Sequence, residues 1–147
     1  MINEVYNSKL LALAGNITRT GRLDGPDASA KAHSKLCGSE LTVDIVIDDR
    51  GCVKDYAHMV KACALGQATA SIVATNVIGA SRSEIEQAHK QMKAMLKEGA
   101  APPDGRFSDL KYLEPVKDYP ARHASTMLAL EALMDAYRQL DQFVAAE

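Results

Sequence analysis

Large aromatic side chains are scarce in this chain, where only 5% of the residues are Phe, Trp or Tyr. The core must therefore be built from Ala, Leu, Ile, Val and Met, and an apolar share of 47% supplies enough of them. An excess of positive charge is also lacking. A formal net charge of −2 and a pI near 6.1 provide no broad basic field to gather phosphate backbones or anionic headgroups, which argues against nucleic acid and against membrane as partners. Long hydrophobic runs are missing as well. None is long enough for a hydrocarbon layer of about 30 Å, and Met1 to Leu13 mixes Asn3 and Glu4 among its apolar positions. The expected location is the cytoplasm.

Cysteine is sparse and odd in number: Cys37, Cys52 and Cys63. Small secreted scaffolds carry even sets that close as disulfides, so reduced thiols in a reducing compartment are the simpler reading. Taken blind, such cysteines read first as small buried hydrophobes. At 147 residues the chain has room for one core, and one domain spanning residues 1–147 is expected.

What is present can be ordered along the chain. Ile2, Tyr6, Leu10 and Leu13 recur at helical spacing, and that helix should end at Gly15-Asn16. The polar stretch from Asn16 to Leu36 shows neither period, and a structureless loop of that length is uncommon unless it serves a site. A third strand just before Cys37 is allowed but not signalled. Leu41, Val43, Ile45 and Ile47 share one face against Thr42, Asp44 and Asp48, which predicts a half-buried strand. Asp48-Asp49-Arg50-Gly51 is a turn, and Cys52 to Val60 returns as its antiparallel partner.

Ala62 to Ile78 is dense in Ala, Ser and Thr with Leu65, Ala68 and Ile72 on one stripe, a helix made to pack closely and stopped by Gly79. Ser81 and Glu84 form an S-x-x-E capping box for a helix that carries Ile85, Ala88, Met92 and Met95 as far as Gly99. Ala101 to Gly105 is a break within the domain. A last helix is predicted from about Ala121 to Ala145, with Pro120 in its first turn.

Two of the three cysteines stand where chemistry is possible. Cys37 leaves a polar loop and precedes Gly38, so its sulfur can sit at a loop tip. Cys63 falls at a helix start, where unpaired N–H groups and the positive end of the dipole favour thiolate. Two such thiolates are soft ligands for zinc, copper(I) or iron–sulfur centres, although the pair lacks the short C-x-x-C spacing of a strong metal motif. Cys52, beside the turn, reads as a packed or edge residue. His123 is a candidate nitrogen ligand or a helix-start histidine. His33 and His58 are weaker candidates, and the spacing of His89 points it to solvent. No G-x-S-x-G elbow or phosphate-cradling glycine motif is present, so enzyme readings fall behind.

The wording of several segments then matters. Gly21-Arg22-Leu23-Asp24, Asp27-Ala28-Ser29-Ala30 and H-S-K-L-C-G-S-E-L from His33 to Leu41 resemble the first ligand loop of the iron–sulfur cluster assembly scaffolds of the IscU/NifU type, SufU-like proteins included. Val53 and Asp55 stand at the expected distance before Cys63. C-A-L-G-Q-A-T-A-S resembles the small-residue helix after the family's second cysteine, and S-R-S-E-I its neighbour. S-T-M-L-A from Ser125 resembles the C-S-M-L-A that opens the family's last helix. The resemblance covers about Asn16 to Ala136. The departures are Ser39 where the family has Asp, Ala124 where it often has His or Lys, and Ser125 where it has its third cysteine.

The resemblance implies an α+β fold, a small antiparallel sheet of about three strands packed against helices, and no catalytic turnover. It implies a protein that transiently binds a nascent cluster, of the 2Fe-2S kind, or zinc, and transfers it to acceptor apoproteins. Cys37 and Cys63 would be the ligands, with Ser125 at the lost third position and His123 as a substitute. Partners would be a cysteine desulfurase, a chaperone, or a second copy that completes four thiolates. The alternative it leaves is an adaptor of the same fold that docks on a desulfurase or chaperone without carrying metal.

Overall fold

The computed structural model describes residues 7–35 and 38–146, with side chains through residue 142. The first described helix, α1 (Ser8–Gly15), is capped by Asn7, whose side chain accepts from the Leu10 N–H, and it ends at Gly15 as expected. The expected turns at Ile2 and Tyr6 lie outside the described residues.

Three antiparallel strands follow in the order β1 (Ala28–His33), β2 (Glu40–Ile47) and β3 (Val53–Lys61). The small α+β fold with a three-stranded sheet is therefore as expected. β1 pairs Ala28 with Ile45 and Ala32 with Leu41, and β2 pairs Val43 with His58 and Ile45 with Tyr56. This register puts Ala28, Ala30, Leu41, Val43, Ile45 and Tyr56 on one buried face.

α2 (Ala64–Asn76) and α3 (Arg82–Glu98) come next, the second opened by the expected capping box between Ser81 and Glu84 and closed at Gly99. A long irregular 3-10 segment (Gly105–Asp118) packs Phe107, Leu110, Leu113 and Val116 under α2 and α3. The single terminal helix of the sequence reading is broken in three. A 3-10 turn (Pro120–Arg122) leads into the short α4 (His123–Thr126), and α5 (Leu128–Ala146) follows after Met127. The break has a local cause: the Ser125 and Thr126 hydroxyls both donate to the Arg122 carbonyl, at 3.2 and 2.7 Å, and compete with the helical ladder. α5 lies across β1 and β2, α1 lies on α2, and among the described residues no helix is long and apolar enough to cross a membrane.

The polar stretch after α1 covers the sheet. Its backbone runs beside the free edge of β3, where the Gly21 N–H donates to the His58 carbonyl at 2.9 Å and the His58 N–H to the Arg19 carbonyl at 3.0 Å. The His58 ring, fully buried, reaches the Thr18 carbonyl with Nε2 at 2.8 Å and meets the Tyr56 hydroxyl with Nδ1 at 3.3 Å. On the outer face, buried Asp44 accepts from Arg22 at 2.7 and 3.0 Å, from the Ser29 hydroxyl at 2.5 Å and from the Leu23 N–H at 3.0 Å. The loop thereby protects an edge strand that would otherwise offer its backbone to other chains.

Candidate functional site

The end of β3 delivers the chain directly to the N-terminus of α2, and Cys63 is its N-cap, in extended conformation and making no side-chain capping bond. Two serines flank it. The Cys63 N–H donates to Ser39 Oγ at 3.3 Å, and the thiol lies 3.5 Å from Ser125 Oγ, as a weak donor to it. Both serines are buried, at 4% and 1% exposure, whereas Cys63 is partly exposed, so the open direction at this site leads to the sulfur.

Close packing holds α4 against α2. A Cβ built on Gly66 would stand 2.9 Å from the Ala62 Cβ, closer than real Cβ atoms come, and 3.0 Å from the Ser125 carbonyl oxygen, tighter than most real contacts. Only glycine lets the first turn of α2 approach the backbone of Ser125 in this way. The sequence held the signal in C-A-L-G-Q, three positions beyond the cysteine, but not the identity of the neighbour.

Cys37 and Leu36 lie outside the described residues. The residues around them are tied: Ser34 donates its N–H to the Ser39 carbonyl at 2.8 Å, and Gly38, at φ 71°, donates to the Ser34 carbonyl at 2.9 Å. The positive φ explains the glycine at 38. Ser39, which ends this bend, is the residue that touches Cys63. The Ser34 hydroxyl is buried without a hydrogen-bond partner among the described residues.

His123 is buried at 3% exposure, and its Nε2 points to the Val116 and Lys117 carbonyls at 2.9 and 3.2 Å. Carbonyls only accept, so Nε2 carries the proton and Nδ1, which has no partner among the described residues, is the nitrogen left with a lone pair. His33 is exposed on β1. His89 departs from its expected solvent position: its side chain is 16% exposed and its Nε2 meets Glu131 at 2.7 Å, because α5 packs alongside α3. Cys52 and Cys63 bracket β3 at opposite ends, so Cys52 stands far from the Cys63 site. Among the described residues no group of three or more His, Cys, Asp or Glu side chains is arranged to hold a metal ion.

A three-stranded sheet backed by helices, with one thiol at a helix N-cap and two hydroxyls around it, defines a small thiol-bearing α+β domain with no catalytic dyad at that thiol. Residues 5–126 match the family described as the NifU-like N terminal domain, and the chain belongs to that family. It is therefore a scaffold-type protein, not an enzyme. The chain is 26% identical to the iron–sulfur cluster assembly scaffold protein IscU of Thermotoga maritima over 94% of its own length and 96% of the relative's. It is 53% identical to the crystal structure of the N-terminal part of a nitrogen-fixing NifU-like protein from Brucella abortus, with a TM-score of 0.93 over 96% of this chain and 97% of that one. A putative scaffold protein for the SUF system from Fervidobacterium islandicum shares the fold, with a TM-score of 0.83 at 19% identity over 91% of this chain and 97% of that one.

Proposed function

We propose that the chain carries a nascent iron–sulfur cluster or a metal ion transiently on Cys37 and Cys63 and hands it to acceptor apoproteins, receiving sulfur from a cysteine desulfurase in the cytoplasm. The observation that supports this best is the placement of Cys63: a partly exposed thiol at a helix N-cap, with no side-chain capping bond and small hydroxyls on either side. The family and its IscU relative supply the class of cargo.

One chain brings two thiolates, a weak hydroxyl ligand at Ser125 and, through Nδ1, the imidazole of His123. Zinc and iron–sulfur centres ordinarily take four thiolate or imidazole ligands. A second copy would complete four thiolates across a dimer, and a set this small in one chain suits a cargo that must leave. Elemental analysis of protein purified without oxygen tests the reading: wild type should hold zinc or iron, and Cys63→Ser should lose it. Equal metal in both would end it.

The hydroxyls of Ser39 and Ser125 favour a second reading, an adaptor that docks on a desulfurase or chaperone and carries nothing. Pulldown of such a partner by a Cys37→Ser, Cys63→Ser double variant, with no metal in wild type, would select it.

A further inference from the structure

Between β1, α3 and the α4–α5 junction lies a groove of about 460 Å³, within the size range of small-molecule sites. Its lining includes the buried Met127 and Leu128. Around them stand Lys31 and His33 from β1 and Lys93 and Lys97 from α3, the last two one helical turn apart on one face.

The charges in the lining do not cancel. Three lysines face two carboxylates, Glu131 and Asp135; Asp135 pairs with Arg138 outside the groove, and Glu131 is hydrogen-bonded to His89 at 2.7 Å. Lys31 is likewise matched, by Glu40 at 3.3 Å. Lys93 and Lys97 have no ion-pair partner among the described residues; Lys93 acts on the Glu131 carboxylate only at longer range. A second feature belongs to the same groove. His123, the candidate metal ligand, also lines it and is buried at 3% exposure.

We propose that this groove is a binding site for a small molecule bearing two acidic groups, carboxylate or phosphate, which pair with Lys93 and Lys97 while its body lies on Met127 and Leu128. The site is separate from the thiol and does not depend on metal carriage. It does share the segment His123 to Ser125 with the thiol site: Ala124 lines the groove, and Ser125 touches Cys63.

Calorimetric titration of the full chain at low salt, with citrate in one arm and inorganic pyrophosphate in the other, tests this. Saturable binding of one anion per chain is expected in at least one arm, and the arm identifies carboxylate or phosphate. A Lys93→Gln, Lys97→Gln variant should bind at least about tenfold more weakly. Lys90→Gln, an exposed lysine of the same helix outside the groove, should bind like wild type. Amide shifts on titration should concentrate at Ala32, Ala124 and Leu128. No saturable binding in either arm, an equal loss in Lys90→Gln, or shifts confined to other residues would overturn the proposal. Substitution of exposed helical lysines by glutamine leaves the fold intact, and circular dichroism checks it.

Discussion

The thiol of Cys63 and the hydroxyl of Ser125, 62 residues apart in the chain, face each other at 3.5 Å. A sulfur at position 125 would thus join the Cys63 sulfur without rearrangement of the backbone. Ser125→Cys should raise zinc affinity in reducing buffer by at least about tenfold, the scale on which changes around a metal act. Competition against a chromophoric chelator measures it, and no gain over wild type would mean that position 125 is not turned toward the metal.

That contact depends on Gly66. Its Cα lies so close to the Ser125 carbonyl that a methyl group must push α2 and α4 apart by several tenths of an ångström. Gly66→Ala should destabilise the protein by about 1–3 kcal/mol, the usual cost of overpacking, in spite of alanine's better helix propensity. Urea unfolding measures the change; a stabilised variant would show that the two helices yield freely.

The loop over β3 should loosen in acid in two stages. Burial pushes the pKa of His58 down, and its bond to the Thr18 carbonyl offsets this only in part. A group whose folded pKa lies below its unfolded value gives stability that is present above about pH 6.5 and lost as pH falls through the folded value. Asp44 titrates later. Burial alone would raise its pKa, but the Arg22 pair, the Ser29 hydroxyl and the Leu23 N–H together hold it below the usual carboxylate range, so its contribution is present above about pH 3.9 and lost below that. Hydrogen exchange at the Gly21 amide, bonded to the His58 carbonyl, should accelerate below pH 6.5 beyond the intrinsic trend. His58→Gln should abolish that extra acceleration.

The Tyr137 hydroxyl donates to the Gly51 carbonyl at 2.8 Å and so ties α5 to the β2–β3 turn, while burial pushes its pKa up to about 12. Tyr137→Phe should cost about 1 kcal/mol. The loss should be flat between pH 6 and 9, because the hydroxyl stays protonated throughout; a loss that varies over that range would contradict the assignment.

How much of this was legible depended on the element. β2 could be read because Leu41, Val43 and Ile45 alternate against polar residues, and α3 because its capping box and apolar stripe agree. β1 could not: its buried residues are Ala28 and Ala30, too small and too poor in strand preference to announce a sheet. The 3-10 segment kept a period near three in Leu110, Leu113 and Val116, but the Pro-rich break before it and Pro115 within it masked the pattern. At the site, Cys63 was visible as a helix start. The burial of His123 and the approach of Gly66 to Ser125 are tertiary facts with no local signature, and Ser125 was found only through family resemblance. The lysines of the groove carry no local signal of a site, whose other walls come from β1 and α5.

Anaerobic reconstitution with iron and sulfide, followed by counting both per chain in wild type, Cys37→Ser, Cys63→Ser and Ser125→Ala, tests carriage by two thiolates most directly. Wild type and Ser125→Ala should retain iron and sulfide in equal number, and each cysteine variant should retain none. Retention by Cys37→Ser or Cys63→Ser at the wild-type level would contradict it.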